Sequence, residues 1–168
     1  MGETGVRAEE IGARPSRARR ALLRRLADVV SLPASRINVF ERSVVGDLLV
    51  DVLRPAPVEE RRRVAQRLAP LGELPDTLKR LLLRDEPEVA RALLEDCAAL
   101  SDADLIGCAR DAGLEHRLMM ASRRGLSEAV TETLLSWGEE AVIVAVLRND
   151  SARLSQSALE GVIALSRG

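Results

Sequence analysis

Apolar residues recur along this chain at intervals of three and four, the spacing that lines one face of an α-helix. Leu78, Leu81 and Leu82 make one such stripe, and Val89, Ala90, Leu93 and Leu94 make the next. Between them Asp85-Glu86-Pro87 interrupts the pattern, because proline lacks an N–H and clashes with the preceding turn. The same alternation of stripe and break continues downstream. Leu105, Ile106 and Ala109 precede Gly113, and Leu118, Met119 and Ala121 follow it. Val130, Leu134 and Leu135 precede Gly138, and Val142, Ile143, Val146 and Leu147 follow it. Both glycines are expected to close helices in the left-handed conformation. Upstream, the pattern predicts helices over 37–53 and 58–68, separated by Pro55 and Pro57. A helix over 16–30 precedes them, and one over 155–165 ends the series.

The punctuation itself is periodic. Leu74-Pro75-Asp76, Leu100-Ser101-Asp102 and Leu126-Ser127-Glu128 fall 26 residues apart, and Leu154-Ser155-Gln156 follows 28 residues later. Each places a serine N-cap, or a proline suited to the first turn, directly after an apolar residue. An acidic or amide side chain comes next, where the helix dipole favours negative charge. Ser101 with Asp104 also approximates a capping box. The interval leaves room for two helices of about ten residues, too short to bury an apolar face without neighbours. The expected fold is therefore all-α, with short helix pairs stacked as an α-solenoid. Repeats start near 34, 74, 100 and 126, with a terminal helix from about 154. They form one domain over 16–168, behind a disordered or frayed segment, 1–15. A non-repetitive helical bundle is the competing architecture.

Composition agrees with helix. There is no Tyr, one Phe (Phe40) and one Trp (Trp137), so the core must be built from Leu, Val, Ile and Ala. With 46% apolar and 30% charged residues the chain is too apolar for disorder. Formal charge is −1, which gives no strong overall attraction for nucleic acid or anionic membrane. The distribution is uneven, at +4 over residues 1–27 and −5 over the remainder. Cys97 and Cys108 form no Cys-x-x-Cys pair and read as buried thiols in a reducing compartment. No signal-peptide pattern opens the sequence. The longest apolar run, 141–147, is far below the ~20 residues needed to span a bilayer. A cytoplasmic protein is expected, with no cofactor implied.

The segment Leu81-Leu82-Leu83-Arg84-Asp85-Glu86-Pro87-Glu88-Val89-Ala90-Arg91-Ala92-Leu93 resembles a HEAT repeat, in which a Leu-rich helix ends at an Asp turn and a Val opens the second helix. Residues from about Phe40 to Ile163 resemble a family of uncharacterised bacterial proteins, common in alphaproteobacteria and known only as a domain of unknown function. The likeness is carried by Leu100-Ser101-Asp102-Ala103-Asp104-Leu105-Ile106, His116, Ala121, Arg123 and Leu126-Ser127. It continues through Val130, Leu134, Gly138, Val142, Leu147, Asn149, Ala152 and Leu154-Ser155. Met119 and Met120 replace small or β-branched residues of the family, and Arg117 and Ser122 replace common Gln and Lys. The resemblance implies HEAT-like repeats and assigns no activity.

Little in the sequence can carry catalysis. His116 is the only histidine, which excludes metal centres built on several histidines. A phosphotransfer role for His116 is one alternative, and a locally bonded helix-terminal histidine is the other. There is no Gly-x-Ser-x-Gly elbow, Walker loop or dinucleotide fingerprint. The arginines are more informative. Arg17, Arg19, Arg20, Arg24 and Arg25 decorate a helix whose apolar face is Leu22, Leu26, Val29 and Val30. Arg61-Arg62-Arg63 follows Glu59-Glu60, which invites pairing within the helix. By analogy with HEAT arrays, Arg91, His116, Arg117, Arg123 and Arg124 are expected to line one groove on the second helices. The expected function is a non-catalytic protein-interaction scaffold, in bacterial signalling or regulation. The alternative is nucleic-acid binding through the arginines, disfavoured by near-neutral charge and the lack of stacking aromatics.

Overall fold

A computed structural model describes the backbone of residues 5–165 and the side chains of residues 16–164. Ten helices and no strand are found among the described residues. They are α1 (Gly5–Val30), α2 (Val39–Leu53), α3 (Val58–Leu68), α4 (Asp76–Leu83) and α5 (Pro87–Asp96). These are followed by α6 (Asp102–Asp111), α7 (Leu114–Ala121), α8 (Glu128–Leu135), α9 (Glu140–Leu147) and α10 (Gln156–Leu165). The helix expected from Ser16 starts earlier, at Gly5, while residues 1–4 of the expected frayed segment lie outside the described residues.

Helix starts follow local chemistry. After the four Leu-anchored punctuation points, helices begin at Asp76, Asp102, Glu128 and Gln156. Ser101 and Asp104 form a complete capping box, as do Asn38 and Glu41 ahead of α2. Ser127 accepts from the Val130 N–H, and Ser155 accepts from the Ala158 N–H at 3.1 Å. Pro87 occupies the first turn of α5. The two glycine breaks differ from each other. Gly138, with φ +64°, takes the left-handed conformation, whereas Gly113, with φ −87°, is the extended N-cap of α7. At Gly113 the turn is set by what opens α7, not by what closes α6.

The helices pack as two rows. In one, α1 lies on α3, α3 on α5, α5 on α7 and α7 on α9. In the other, α2 lies on α4, α4 on α6 and α6 on α8. Pairs α1/α2, α4/α5, α6/α7 and α8/α9 join the rows across a continuous apolar core. Leu49, Leu53, Leu68, Leu78, Leu82, Leu93, Leu94, Leu126 and Leu134 are its largest aliphatic members, each contributing about 2 kcal/mol by leaving water. Gly46 lets the rim of α2 close onto α4, since a Cβ there would sit 2.7 Å from the Pro75 ring. On α1 the core residues are Leu23, Ala27 and Val30, with Leu26 and Val29 half-buried. Leu22, expected on the same apolar face, is 45% exposed. Leu26 packs against the core, and α1 lies on α2 as well as on α3.

Candidate functional site

The expected groove of Arg91, His116, Arg117, Arg123 and Arg124 is not assembled. His116 and Arg117 are each only 6% exposed. The His116 Nε2–H donates to the Asp85 carbonyl at 2.8 Å, so the imidazole holds the turn between α4 and α5. Arg117 donates through Nε and Nη2 to Glu139 at 2.7 and 2.6 Å. Its Nη1 donates to the carbonyls of Ala109 and Ala112 at the end of α6. The guanidinium also stacks 4.3 Å from the centre of the Trp137 ring. This hydrogen-bonded pairing raises the Arg117 pKa and holds the Glu139 carboxyl below its ordinary range. Arg123 donates to the carbonyls of Leu93, Leu94 and Cys97 at the end of α5, sharing the Leu93 and Cys97 acceptors with backbone N–H groups. Arg91 is exposed but pairs with Glu95 one turn along α5. Arg124 is exposed and stands apart from that network.

These bonds share a pattern that the residue types alone did not disclose. A side chain reaches back one repeat to backbone carbonyls that end the preceding helix. Asn149 does for α7 what Arg123 does for α5, donating to the carbonyls of Ala121 and Arg123 at 2.8 and 2.7 Å. The Cys108 thiol donates to the Leu83 carbonyl at 3.3 Å. Lys79 bridges Asp76 and Asp104 across consecutive repeats. His116 and Arg123 belong to this internal ladder, while Arg117 ties the end of α6 in its own repeat to Glu139 of the next. Among the described residues no three His, Cys, Asp or Glu side chains group to hold a metal. Both cysteines are buried, and burial raises their pKa, that of Cys108 to about 11, which is the opposite of an activated thiolate.

A second group of arginines lies at the other end of the molecule. Arg20, Arg24 and Arg25 of α1 face Arg63 and Arg67 of α3 across a groove of about 610 Å³. Its floor is Leu23, Ala27 and Val64. Glu60 points into the α1–α3 contact and accepts from Arg19 at 2.9 Å and from Arg20 at 3.0 Å. The Arg19 hydrogen bond is the main cause that holds the Glu60 carboxyl low. Arg67 pairs with Asp28. Arg62 and Arg63 pair with Glu59 within α3, as its sequence invites, whereas Arg61 leaves the helix to grip Asp85 at 2.8 Å. Arg17, Arg24 and Arg25 are exposed and have no ion-pair or hydrogen-bond partner among the described residues. Of the basic residues expected on the N-terminal helix, Arg20 and Arg24 therefore line the groove, while Arg17 lies outside its lining. Arg63 and Arg67 were missed as groove residues. Their spacing of four, with Glu59 four residues earlier, marks one face of α3 but does not say what that face meets.

The α5–α10 half carries a recognisable signature. Residues 89–168 match a family described as an uncharacterised protein conserved in bacteria (DUF2336). No curated protein and no solved structure matches the chain. The match starts later than the resemblance from about Phe40, so α1 to α4, and the basic groove with them, lie outside the matched stretch. The ladder residues His116, Arg123 and Asn149 lie inside it, as does Arg117. No helix among the described residues is long and apolar enough to cross a membrane.

Proposed function

We propose that the helix pairs form a HEAT-like α-solenoid acting as a non-catalytic scaffold, and that its α1–α3 groove holds an acidic segment of a partner protein. The observation that carries this reading is a pair of arginines, Arg24 and Arg25, with no partner among the described residues, beside Arg63 and Arg67 over an apolar floor. Unneutralised guanidinium groups over buried Leu23, Ala27 and Val64 suit carboxylates interleaved with aliphatic side chains. The row-on-row packing and the reach-back bonds support a stacked-repeat scaffold. In this reading the partner is a protein because the groove joins its arginines to an apolar floor, which suits a peptide that carries both carboxylates and aliphatic side chains. Duplex nucleic acid needs a basic face running along several repeats. The groove runs beside α3, whose 11 residues span about 16 Å, so it fits roughly three turns of a helix or a short extended strand. The buried, reduced thiols Cys97 and Cys108 fit work in the cytoplasm.

The test is fluorescence anisotropy with a labelled peptide of about 15 residues alternating Glu or Asp with Leu at helical spacing. Neutral Gln-for-Glu peptide and duplex DNA serve as competitors. The acidic peptide is expected to bind, and Arg24→Glu with Arg25→Glu to weaken it at least about tenfold, a loss near 1.4 kcal/mol. Neither arginine supports the fold, so the double variant keeps its structure. Unchanged binding in the variant, or DNA displacing the peptide at equal charge, would sink the proposal.

A further inference from the structure

Helix α10 begins a repeat that no second helix completes among the described residues. In the second row each helix turns two pairs of residues inward, set one turn apart. On α5 these are Val89, Ala90, Leu93 and Leu94, and on α7 His116, Arg117, Met120 and Ala121, all buried. On α9 the same positions hold Val142, Ile143, Val146 and Leu147. Val142 and Val146 are buried, but Ile143 is half-buried and Leu147 is 46% exposed. The first row changes in the same way. Leu105 and Cys108 of α6 and Thr131 and Leu134 of α8 are buried. Counted from the caps Ser101, Ser127 and Ser155, their counterparts on α10 are Leu159, 42% exposed, and Val162, half-buried. Between α8, α9 and α10 a cleft of about 240 Å³ stays open, with Leu135, Ile143, Ala158 and Val162 in its walls. The reach-back bonds stop at the same place. Arg123 serves the end of α5 and Asn149 the end of α7, whereas no side chain among the described residues donates to the carbonyls that end α9.

We propose that this end of the stack receives an amphipathic helix of a partner protein, seated on α9 and α10 where a second helix would complete the repeat. The preceding repeats specify its chemistry. It carries aliphatic residues at i, i+1, i+4 and i+5, the spacing of Val89, Ala90, Leu93 and Leu94. These close the cleft and cover Leu147 and Leu159. An arginine or asparagine just past its last turn reaches the α9 carbonyls, as Arg123 and Asn149 reach those of α5 and α7. Terminal repeats of stacked proteins normally carry a polar outer face, which Leu147 and Leu159 do not supply. Area selects a helix over a second copy. With α10 about 15 Å long and neighbouring axes about 10 Å apart, the α9–α10 end offers roughly 300 Å². Two such ends docked flat would bury about 600 Å² in total, below the ~1,000 Å² expected of a specific dimer. A single helix instead enters the cleft, so its apolar residues are covered from both α9 and α10. This site uses the row packing and not the acidic-segment reading, since α9 and α10 lie away from the α1–α3 groove.

The probe is a labelled peptide of residues 138–150 of this chain, which contains the α9 stripe and Asn149. Fluorescence anisotropy against the full chain is expected to show saturable binding with a Kd of about 10–300 µM, weak because the face is small. Leu147→Glu with Leu159→Glu in the full chain alters only exposed positions. That variant should bind the peptide at least about tenfold more weakly, with unchanged helical circular dichroism and unchanged acidic-peptide binding. In the peptide, Val142→Glu with Val146→Glu should abolish binding, and Asn149→Leu should weaken it several-fold. Sedimentation velocity of the chain alone, up to about 300 µM, should show a monomer. Three outcomes overturn the proposal. They are no saturable binding below about 1 mM, a Leu147→Glu, Leu159→Glu chain that binds as well as the parent, or self-association that this variant abolishes, which would make the cover a second copy.

Discussion

Replacing Arg117 with alanine distinguishes an internal strut from a groove residue, and its cost follows from the contacts. The substitution removes two bonds to Glu139, two to the carbonyls of Ala109 and Ala112, and the stacking on Trp137. Leaving the Ala109 and Ala112 carbonyls without their donor costs about 1–3 kcal/mol in total, and the lost ring contact about 0.5–1 kcal/mol. The Glu139 side chain keeps 24% exposure and can turn to water, so the loss stays below that of a fully buried pair. The expected destabilisation is about 3 kcal/mol. In contrast, Arg84 and Asp111 are about half exposed, and Arg84→Ala should cost under about 1 kcal/mol. Arg117→Lys should fall between, because an ammonium cannot grip Glu139 and the carbonyls with one planar fork. Urea unfolding followed by far-UV circular dichroism measures all three, and the melting temperature of Arg117→Ala should fall by roughly 6–12 °C. The sign with pH is also set. Because Arg117 depresses the Glu139 pKa, the pair contributes fully above about pH 4.3 and loses its contribution as pH falls toward the folded-state pKa. The gap between parent and variant should therefore narrow in acid. If Arg117→Ala and Arg84→Ala destabilise equally, the strut argument is refuted.

Other positions yield sharper single readouts. Cys108, raised to about 11 by burial, stays protonated after an unfolded-state thiol near 8.5 has ionised. Stability should therefore be full below pH 8.5 and fall between 8.5 and about 11, by less in Cys108→Ala, and iodoacetamide at pH 8 should label it only in denaturant. Thr131 is fully buried with no partner for its hydroxyl among the described residues, so Thr131→Val should stabilise by up to about 1 kcal/mol; a loss of that size would reveal a hidden partner. Gly46→Ala gains helix propensity but drives a methyl to within 2.7 Å of the Pro75 ring. A net loss of about 1–2 kcal/mol in urea unfolding is expected, and a gain would show that α2 and α4 can part freely.

Sequence alone determined where the helices begin. The reason is range: an N-cap serine bonds an N–H two or three residues on, and Pro87 acts on its own turn, so Ser101, Ser127 and Ser155 do not need the rest of the protein to set a helix start. Most of the core was also visible, because a 3.6-residue period places Leu78 and Leu82, or Val130 and Leu134, on one face whatever they meet. Only the tertiary structure decided the fate of polar groups and the reach of the apolar faces. Glu60 reads like Glu59 along α3, yet one turns to arginines of α1 some forty residues away and the other to its own helix. His116, Arg117 and Arg123 look like surface charge until stacking brings them to carbonyls and a carboxylate in neighbouring repeats. Conversely, Phe40, Val44 and Leu48 look like core and are not, because periodicity records that a face is apolar and is silent on whether the chain has anything left to cover it.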